Sequence, residues 1–169
     1  TDIEAFKSFL DWIKDMWQVK ELSADENKEF KNIATNFYKD KTYQRVHDYF
    51  RVSESYDVEE KINGINTPTI ISILDSLDWE SIIPRSCTRF HGDLHFENIL
   101  YNKTNSGYEF KLLDWRQDFG GNIEYGDIYY DLAKLNHGLI VSHRNIHNEL
   151  YHVIKKNHEI EFDFQMNYK

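Results

Sequence analysis

Three polar residues in the middle of the chain have the types and spacing that phosphoryl transfer requires. Asp93 is followed five residues later by Asn98, and Asp114 stands alone after a further apolar run. In such reactions one carboxylate accepts the proton of the attacking hydroxyl, while an amide oxygen and a second carboxylate hold Mg²⁺ against the nucleotide phosphates. The pattern therefore indicates a phosphoryl-transfer site.

The segment between Asn98 and Asp114 predicts a β-hairpin. Residues 99–101 form a short apolar run, residues 102–107 are rich in turn formers, and residues 108–113 alternate in polarity. Asn98 precedes the first strand and Asp114 follows the second, so both fall at the open end, on strands about 5 Å apart. Oxygen ligands from one Asn and one Asp suit Mg²⁺. Asp93 is expected to face the same cleft from the preceding loop.

Two other metal chemistries compete for the same stretch. His91 and His95 are four residues apart, as in some zinc sites, but Gly92 disfavours a helix there and no third ligand has zinc spacing. Asp93 with His95 also fits the GD-x-H box of metallophosphatases, although the later ligand boxes of that class are not evident. A metal-dependent phosphoesterase remains an alternative.

The segment that follows Asp114 offers a rival metal ligand and a candidate lid. Asp118 begins an Asp-Phe-Gly tripeptide, but we favour Asp114 because it directly ends a strand. Residues 116–125 include adjacent glycines, and their position beside the predicted metal site suggests substrate contact or closure. Arg116 is a candidate for a phosphate contact.

Three sequence blocks together resemble the aminoglycoside phosphotransferase and choline kinase superfamily, which comprises small-molecule kinases with a protein-kinase-like fold. The blocks are HGDLHFENIL at 91–100, LLDW at 112–115 and GDIYYDLAKL at 126–135. They occur in the order typical of that family, and the resemblance covers roughly residues 67–140.

The resemblance implies a role for each matching residue. Asp93 would be the catalytic base, Asn98 and Asp114 the Mg²⁺ ligands, His91 a brace for the catalytic loop and Asp131 a structural support. The implied cofactors are ATP and Mg²⁺, and the implied acceptor is a hydroxyl of a small metabolite such as a sugar, an amino alcohol or an aminoglycoside.

The resemblance also implies an amino-terminal lobe with a nucleotide-covering loop and a phosphate-binding lysine, and the sequence shows neither. We therefore expect residues 1–169 to form one domain, the carboxy-terminal lobe alone, with little activity by itself. The fold class expected is α+β, a mostly helical lobe with a small catalytic hairpin. A non-catalytic kinase-like binding module is the second alternative.

Periodicity and capping signals place the supporting elements. The capping box Ser23-x-x-Glu26 predicts the start of a long helix. Thr67-Pro68 predicts the start of another helix, which has apolar residues on nearly all sides and is therefore expected to be central and buried. We predict helices over 1–20, 23–50, 67–77, 127–139 and 142–157, a polar loop or frayed helix over 51–66 and a strand over 159–169.

Composition limits the partners and the compartment. The formal net charge of −9 disfavours a surface for nucleic acid or anionic membrane, which would need clustered lysine and arginine. An acidic surface is compatible with a cationic acceptor. Cys87 is the only cysteine, which points to a cytoplasmic protein.

The four histidines near the carboxyl end are expected to be solvated. They are His143, His147, His152 and His158. The expected partners are a small-molecule acceptor and a nucleotide, and the oligomeric state is open.

Overall fold

The computed structural model describes residues 2–141 and 143–164; for residues 143 and 144 it describes the backbone alone. It contains both helices and strands, which confirms the α+β class. The helices are α1 (Ile3–Met16), α2 (Ala24–Val52), α3 (Ile70–Asp75), α4 (Ile128–Ile140) and α5 (His143–His147). The strands are β1 (Glu60–Ile62), β2 (Ile65–Thr67), β3 (Ser86–Cys87), β4 (Ile99–Thr104), β5 (Gly107–Leu112), β6 (Gly126–Asp127), β7 (Tyr151–Lys156) and β8 (Glu159–Phe164).

Helix α2 begins as its capping signal predicts. The Ser23 side chain accepts from the backbone N–H of Glu26, and the Glu26 side chain accepts from the backbone N–H of Ser23. Each residue thus satisfies a donor that the first helical turn leaves without a partner. The helix then runs without a break to Val52, passing through the charged stretch at residues 39–41.

The core lies where α1, α2 and α4 meet the loops that carry the polar motifs. Phe119 is fully buried there, with its ring centroid 4.6 Å from that of Phe37 and 5.8 Å from that of Phe30. The segment that contains Phe119 is therefore anchored to α2 and is not a detached lid. Other buried members of this cluster are Phe9, Ile13, Trp17, Ala34, Cys87, Phe90, Leu94, Tyr125, Ile128 and Leu135.

The predicted β-hairpin is confirmed as β4 and β5. Its antiparallel register runs from Ile99 opposite Leu112 to Thr104 opposite Gly107. Phe110 of β5 packs edge-on against Phe9 of α1, with ring centroids 5.3 Å apart. The hairpin is therefore fixed to the helical core by its buried face, and its open end stays close to the loop that carries Asp93.

A four-stranded sheet in the order β2-β1-β8-β7 includes strands from two segments that were not predicted to contain any. Residues 51–66, predicted as a loop or frayed helix, include β1 and most of β2, which are joined by Asn63 and Gly64, both at positive φ. The predicted helix over 142–157 is wrong: within the described part of that range, His143–His147 are helical and Tyr151–Lys156 form β7. The predicted strand over 159–169 is confirmed as β8 through Phe164, and residues 165–169 lie outside the described residues.

The helix predicted after Thr67-Pro68 is shorter and less buried than expected. It begins at Ile70, with Thr69 as its N-cap, and ends at Asp75. Leu74 is its buried residue, whereas Ile70 and Ile73 are each more than 40% exposed. The prediction of a central buried helix is therefore wrong, because six residues make less than two turns and one side of the helix faces solvent.

Helix α4 is held in place at its amino end by Asp127. Its carboxylate caps the helix through the backbone N–H of Tyr129 and also accepts from the backbone N–H of Arg85 and the Tyr38 hydroxyl. The short pairing of β3 with β6 adds backbone hydrogen bonds at the same point. These contacts fix α4 against α2, with the Asp93 loop beside them. None of the helices within the described part of the chain has the length and apolar character needed to span a membrane.

Candidate functional site

The loop that carries Asp93 is held by Asp131, a fully buried residue of α4. Oδ2 of Asp131 accepts from the backbone N–H of His91 at 2.7 Å, and Oδ1 accepts from that of Gly92 at 2.7 Å. The indole N–H of Trp17 donates to Oδ2 at 2.9 Å. Burial raises the pKa of Asp131, and the three N–H donors act in the opposite direction. One carboxylate thus joins α1, α4 and the loop.

Asp93 lies between two cations. Its Oδ1 is 2.8 Å from Nζ of Lys134 and its Oδ2 is 3.2 Å from an Nη atom of Arg116. Partial burial would raise the pKa of Asp93, but the hydrogen bond and charge of Lys134 and the charge of Arg116 outweigh it, so the pKa lies below its ordinary value of 3.8. The side chain is therefore an anion at neutral pH, as a carboxylate that takes a proton from a hydroxyl must be.

Replacing Lys134 with methionine is expected to raise the pKa of Asp93, because the hydrogen bond and the nearer positive charge are lost. Since the native pKa lies below 3.8, the ion pair stabilises the fold above that pH, and its contribution is lost as the pH falls through the native pKa. ¹³C NMR titration of the Asp93 carboxyl carbon measures the shift. The exposed Lys28→Met variant should leave this pKa in place. An unchanged titration in Lys134→Met would contradict the assignment.

Asn98 connects the Asp93 loop to the end of the hairpin. Its side-chain NH₂ group donates to the backbone carbonyl of Asp93 at 3.0 Å, and the backbone carbonyl of Asn98 accepts from the backbone N–H of Leu113 at 2.9 Å. Asn98 is 6% exposed, so these two bonds hold it in a fixed position. The two residues predicted as Mg²⁺ ligands, Asn98 and Asp114, therefore flank the open end of the hairpin.

Asp114 has the features of a ligand residue that is free to bind. It is exposed, and its carboxylate has no hydrogen-bond or ion-pair partner in the described part of the chain. Its φ of +54° lies in the left-handed region, where non-glycine residues are uncommon and cluster at functional sites. A carboxylate oxygen and an amide oxygen form a hard donor set that fits Mg²⁺, which takes its other ligands from water and phosphate.

His91 lies beneath the loop in a fully buried position. Its Nδ1 accepts from the backbone N–H of Asp93 at 3.2 Å, and its ring centroid is 5.1 Å from that of Trp115. Its Nε2 has no hydrogen-bond partner among residues 2–141 and 143–164. Burial lowers the pKa of His91 although the Asp131 carboxylate raises it. The ring is neutral and accepts through Nδ1, so it orients the backbone of Asp93. His91 thus lies where a residue that braces the loop is expected.

Gly92 permits the close approach of Arg116 to this loop. The backbone of Gly92 has φ +78°, and a Cβ atom there would lie 2.6 Å from Cβ of Arg116. The backbone N–H of Arg116 donates to the carbonyl of His91 at 2.9 Å. A side chain at position 92 would therefore push Arg116 away from Asp93.

A cavity of about 590 Å³ opens beside Asp93. Helix α2 forms one wall with Lys41 and Arg45, and α4 forms the other with Lys134 and His137. The wall on α2 was not predicted from the sequence; it lies within the long helix expected over residues 23–50. The lysine and arginine four residues apart on α2 share one helix face, and that spacing is a signal from which the wall could have been suspected. The full lining is Phe37, Tyr38, Lys41, Thr42, Arg45, Asp93, His95, Arg116, Tyr130, Ala133, Lys134 and His137.

The competing metal sites gain no support from the described residues. Oδ2 of Asp118 accepts from the backbone N–H of Gly121 at 2.7 Å, so this carboxylate already has a role in a turn. Within the described ranges, no group of three or more His, Cys, Asp or Glu side chains is arranged to hold a metal ion. His147, His152 and His158 are exposed, as expected of solvated residues.

The site thus combines an anionic Asp93 at a cavity wall, a hairpin end flanked by Asn98 and Asp114, and the buried carboxylate of Asp131 that fixes the loop between them. Comparison with family models, with curated proteins and with solved structures found no match to this chain.

Proposed function

We propose that this chain is the carboxy-terminal lobe of an ATP-dependent phosphotransferase that acts on a hydroxyl group of a small metabolite. One observation carries the proposal. The Asn98 amide bonds to the backbone of Asp93, and the Asn98 backbone bonds to the residue before Asp114. The proposed proton acceptor, which lines a cavity of about 590 Å³ with a volume suited to a metabolite, is thus tied to a pair of hard-oxygen residues that lie outside the cavity lining.

Asp93 would orient the acceptor hydroxyl and take its proton. The lowered pKa of Asp93 keeps the carboxylate ionised, and this makes it a weak base. A weak base suffices because phosphoryl transfer passes through a loose transition state in which positioning and charge stabilisation contribute most of the rate. His91 and Asp131 contribute indirectly, since both bond to the backbone of the loop and so limit its movement.

Asn98 and Asp114 are the residues that would hold Mg²⁺. When bound, Mg²⁺ supplies positive charge that offsets the charge developing on the transferred phosphoryl group. Arg116 follows Asp114 by two residues and directs its guanidinium toward Asp93, so it is placed to contact the same phosphoryl group. The nucleotide-covering loop and phosphate-binding lysine of the resembled family would come from another lobe. A cytoplasmic location, where Mg·ATP is abundant, belongs to the same proposal.

The test is acceptor-dependent formation of ADP from Mg·ATP, assayed with this chain and with any longer protein of which it is part. Pools of sugars, sugar phosphates, hydroxy acids, amino alcohols and aminoglycosides serve as acceptors. We expect turnover with one pool and its loss on chelation of Mg²⁺. Binding of Mg·ATP without turnover in any pool would favour a non-catalytic module. Release of phosphate from an ester in the absence of ATP would favour a phosphoesterase.

A further inference from the structure

We infer that the acceptor is an anion: a hydroxyl compound that carries a phosphate or carboxylate group, held between α2 and α4 with its hydroxyl at Asp93. The inference rests on the proposed function and names its substrate class. It departs from the cationic acceptor that the acidic composition suggested, because the charge at the cavity is opposite in sign to that of the whole chain.

The cavity wall concentrates positive charge. Four of its residues are lysine or arginine, and Asp93 is the one carboxylate among them. The chain as a whole has a formal net charge of −9. A cationic acceptor would have to lie among like charges, which is unfavourable in a recess partly shielded from water. An anionic acceptor would find complementary charge on both walls.

Two of the four cations form no ion pair with any residue that the structure describes. Arg45 has no ion-pair partner in the part of the chain that the structure describes. Lys41 donates to the hydroxyl of Tyr130 at 3.0 Å, and its Nζ lies 4.3 Å from the ring centroid of Phe37. Neither contact is with a carboxylate. Because Lys41 and Arg45 are one helical turn apart on α2, they present two cationic donors in the same direction.

The other two cations are placed where the acceptor hydroxyl would bind. Lys134 and Arg116 both pair with Asp93, at 2.8 Å and 3.2 Å. The cavity therefore has an anion-binding end on α2 and a proton-accepting end at Asp93, and an acceptor with both groups would span them. Neither Asn98 nor Asp114 lines the cavity, so the residues proposed to hold Mg²⁺ are distinct from those proposed to hold the anionic group of the acceptor.

Binding of four matched probes to the chain tests the inference without ATP. Inorganic phosphate, glycerol 3-phosphate and glycerate carry the anion, and glycerol carries the hydroxyls alone. Isothermal titration should detect at least one of the three anions and should find glycerol bound at least about tenfold more weakly. Preference for the phosphate or for the carboxylate probe identifies which anion the acceptor carries.

Matched arginine variants connect any binding to the cavity. Arg45→Gln should weaken anion binding about tenfold. Arg51→Gln removes the same charge from the same helix outside the cavity and should leave binding unchanged.

Equal effects of the two variants, binding of glycerol as tight as that of the anions, or no binding of any anion would overturn the inference. So would displacement of the bound anion by Mg·ATP, since the cations would then serve the nucleotide. Anion binding that depends on Arg45, combined with no ATP-dependent transfer, would keep the anion site and reject the kinase.

Discussion

Replacing Asp93 with asparagine is expected to lower the rate of phosphoryl transfer about 10³-fold, the typical contribution of a positioned general base. Asparagine has nearly the same size but cannot accept the proton of the hydroxyl, and it also loses its charge attraction to Lys134. The affinity for Mg·ATP should stay within about twofold, because the predicted Mg²⁺ ligands Asn98 and Asp114 are unchanged. Steady-state kinetics and nucleotide titration on the same sample measure both quantities.

The matched control for this change is Asp78→Asn. Asp78 is exposed, and its side chain makes no capping hydrogen bond to the turn that it precedes. The control removes the same charge and should leave the rate unaltered. Substantial turnover in Asp93→Asn, with an unchanged acceptor KM, would show that another group accepts the proton.

Replacing Asp131 with alanine is expected to have the largest effect on stability, about 4 kcal/mol in the free energy of unfolding. The carboxylate satisfies three donors at once: the backbone N–H groups of His91 and Gly92 and the indole N–H of Trp17. Its removal leaves these buried groups without partners, each at a cost of about 1–3 kcal/mol before relaxation. Urea denaturation followed by circular dichroism measures the loss.

Two variants show whether the lost hydrogen bonds cause the effect. Asp131→Asn keeps one carbonyl oxygen as an acceptor and should cost about half as much. Asn136→Ala changes an exposed residue of the same helix and should stay within about 0.5 kcal/mol of the parent. If Asp131→Ala were as mild as Asn136→Ala, the three hydrogen bonds could not hold the loop as described.

The elements that the sequence predicted well are those determined by neighbouring residues. The capping box of Ser23 and Glu26 specifies the start of α2 through hydrogen bonds that span three residues. The β4–β5 hairpin follows from alternating polarity on either side of a dense turn signal. The Asn63-Gly64 turn belongs to the same class, since both residues can take positive φ, but it was assigned to a loop.

The elements that failed depend on distant partners. Residues 142–157 have helical apolar spacing, yet the β-branched and aromatic residues at 151–154 can pair with β8, and they form β7 instead. Glu149, with φ +54°, interrupts any continuous helix. For α3 the wrong prediction concerned how deeply the helix is buried. An apolar helix was assumed to be central, although composition does not specify which neighbours cover it.

The candidate site also combines features determined by neighbouring residues with features that depend on distant ones. Asp93, Asn98 and Asp114 could be proposed from the sequence because their spacing lies within one loop and one hairpin. Lys41 and Arg45 were missed because they approach Asp93 only when α2 packs beside α4, some fifty residues from that loop in sequence. The interaction of Asp131 with Trp17 likewise joins residues that are separated by most of the domain. Spacing thus indicates candidate residues, but the cations that surround them depend on packing.

The order of strands in the four-stranded sheet affects how the chain folds while it is being synthesised. Lys61 of β1 pairs with Glu159 of β8, so the β1–β2 hairpin emerges well before the strand that covers its edge. At ribosomal rates the intervening stretch takes roughly 5 to 20 s to make. During that interval the backbone donors and acceptors of β1 are open to strands from other chains. The charged residues Glu60 and Lys61 belong to this strand, where like charges on a second copy would oppose its approach.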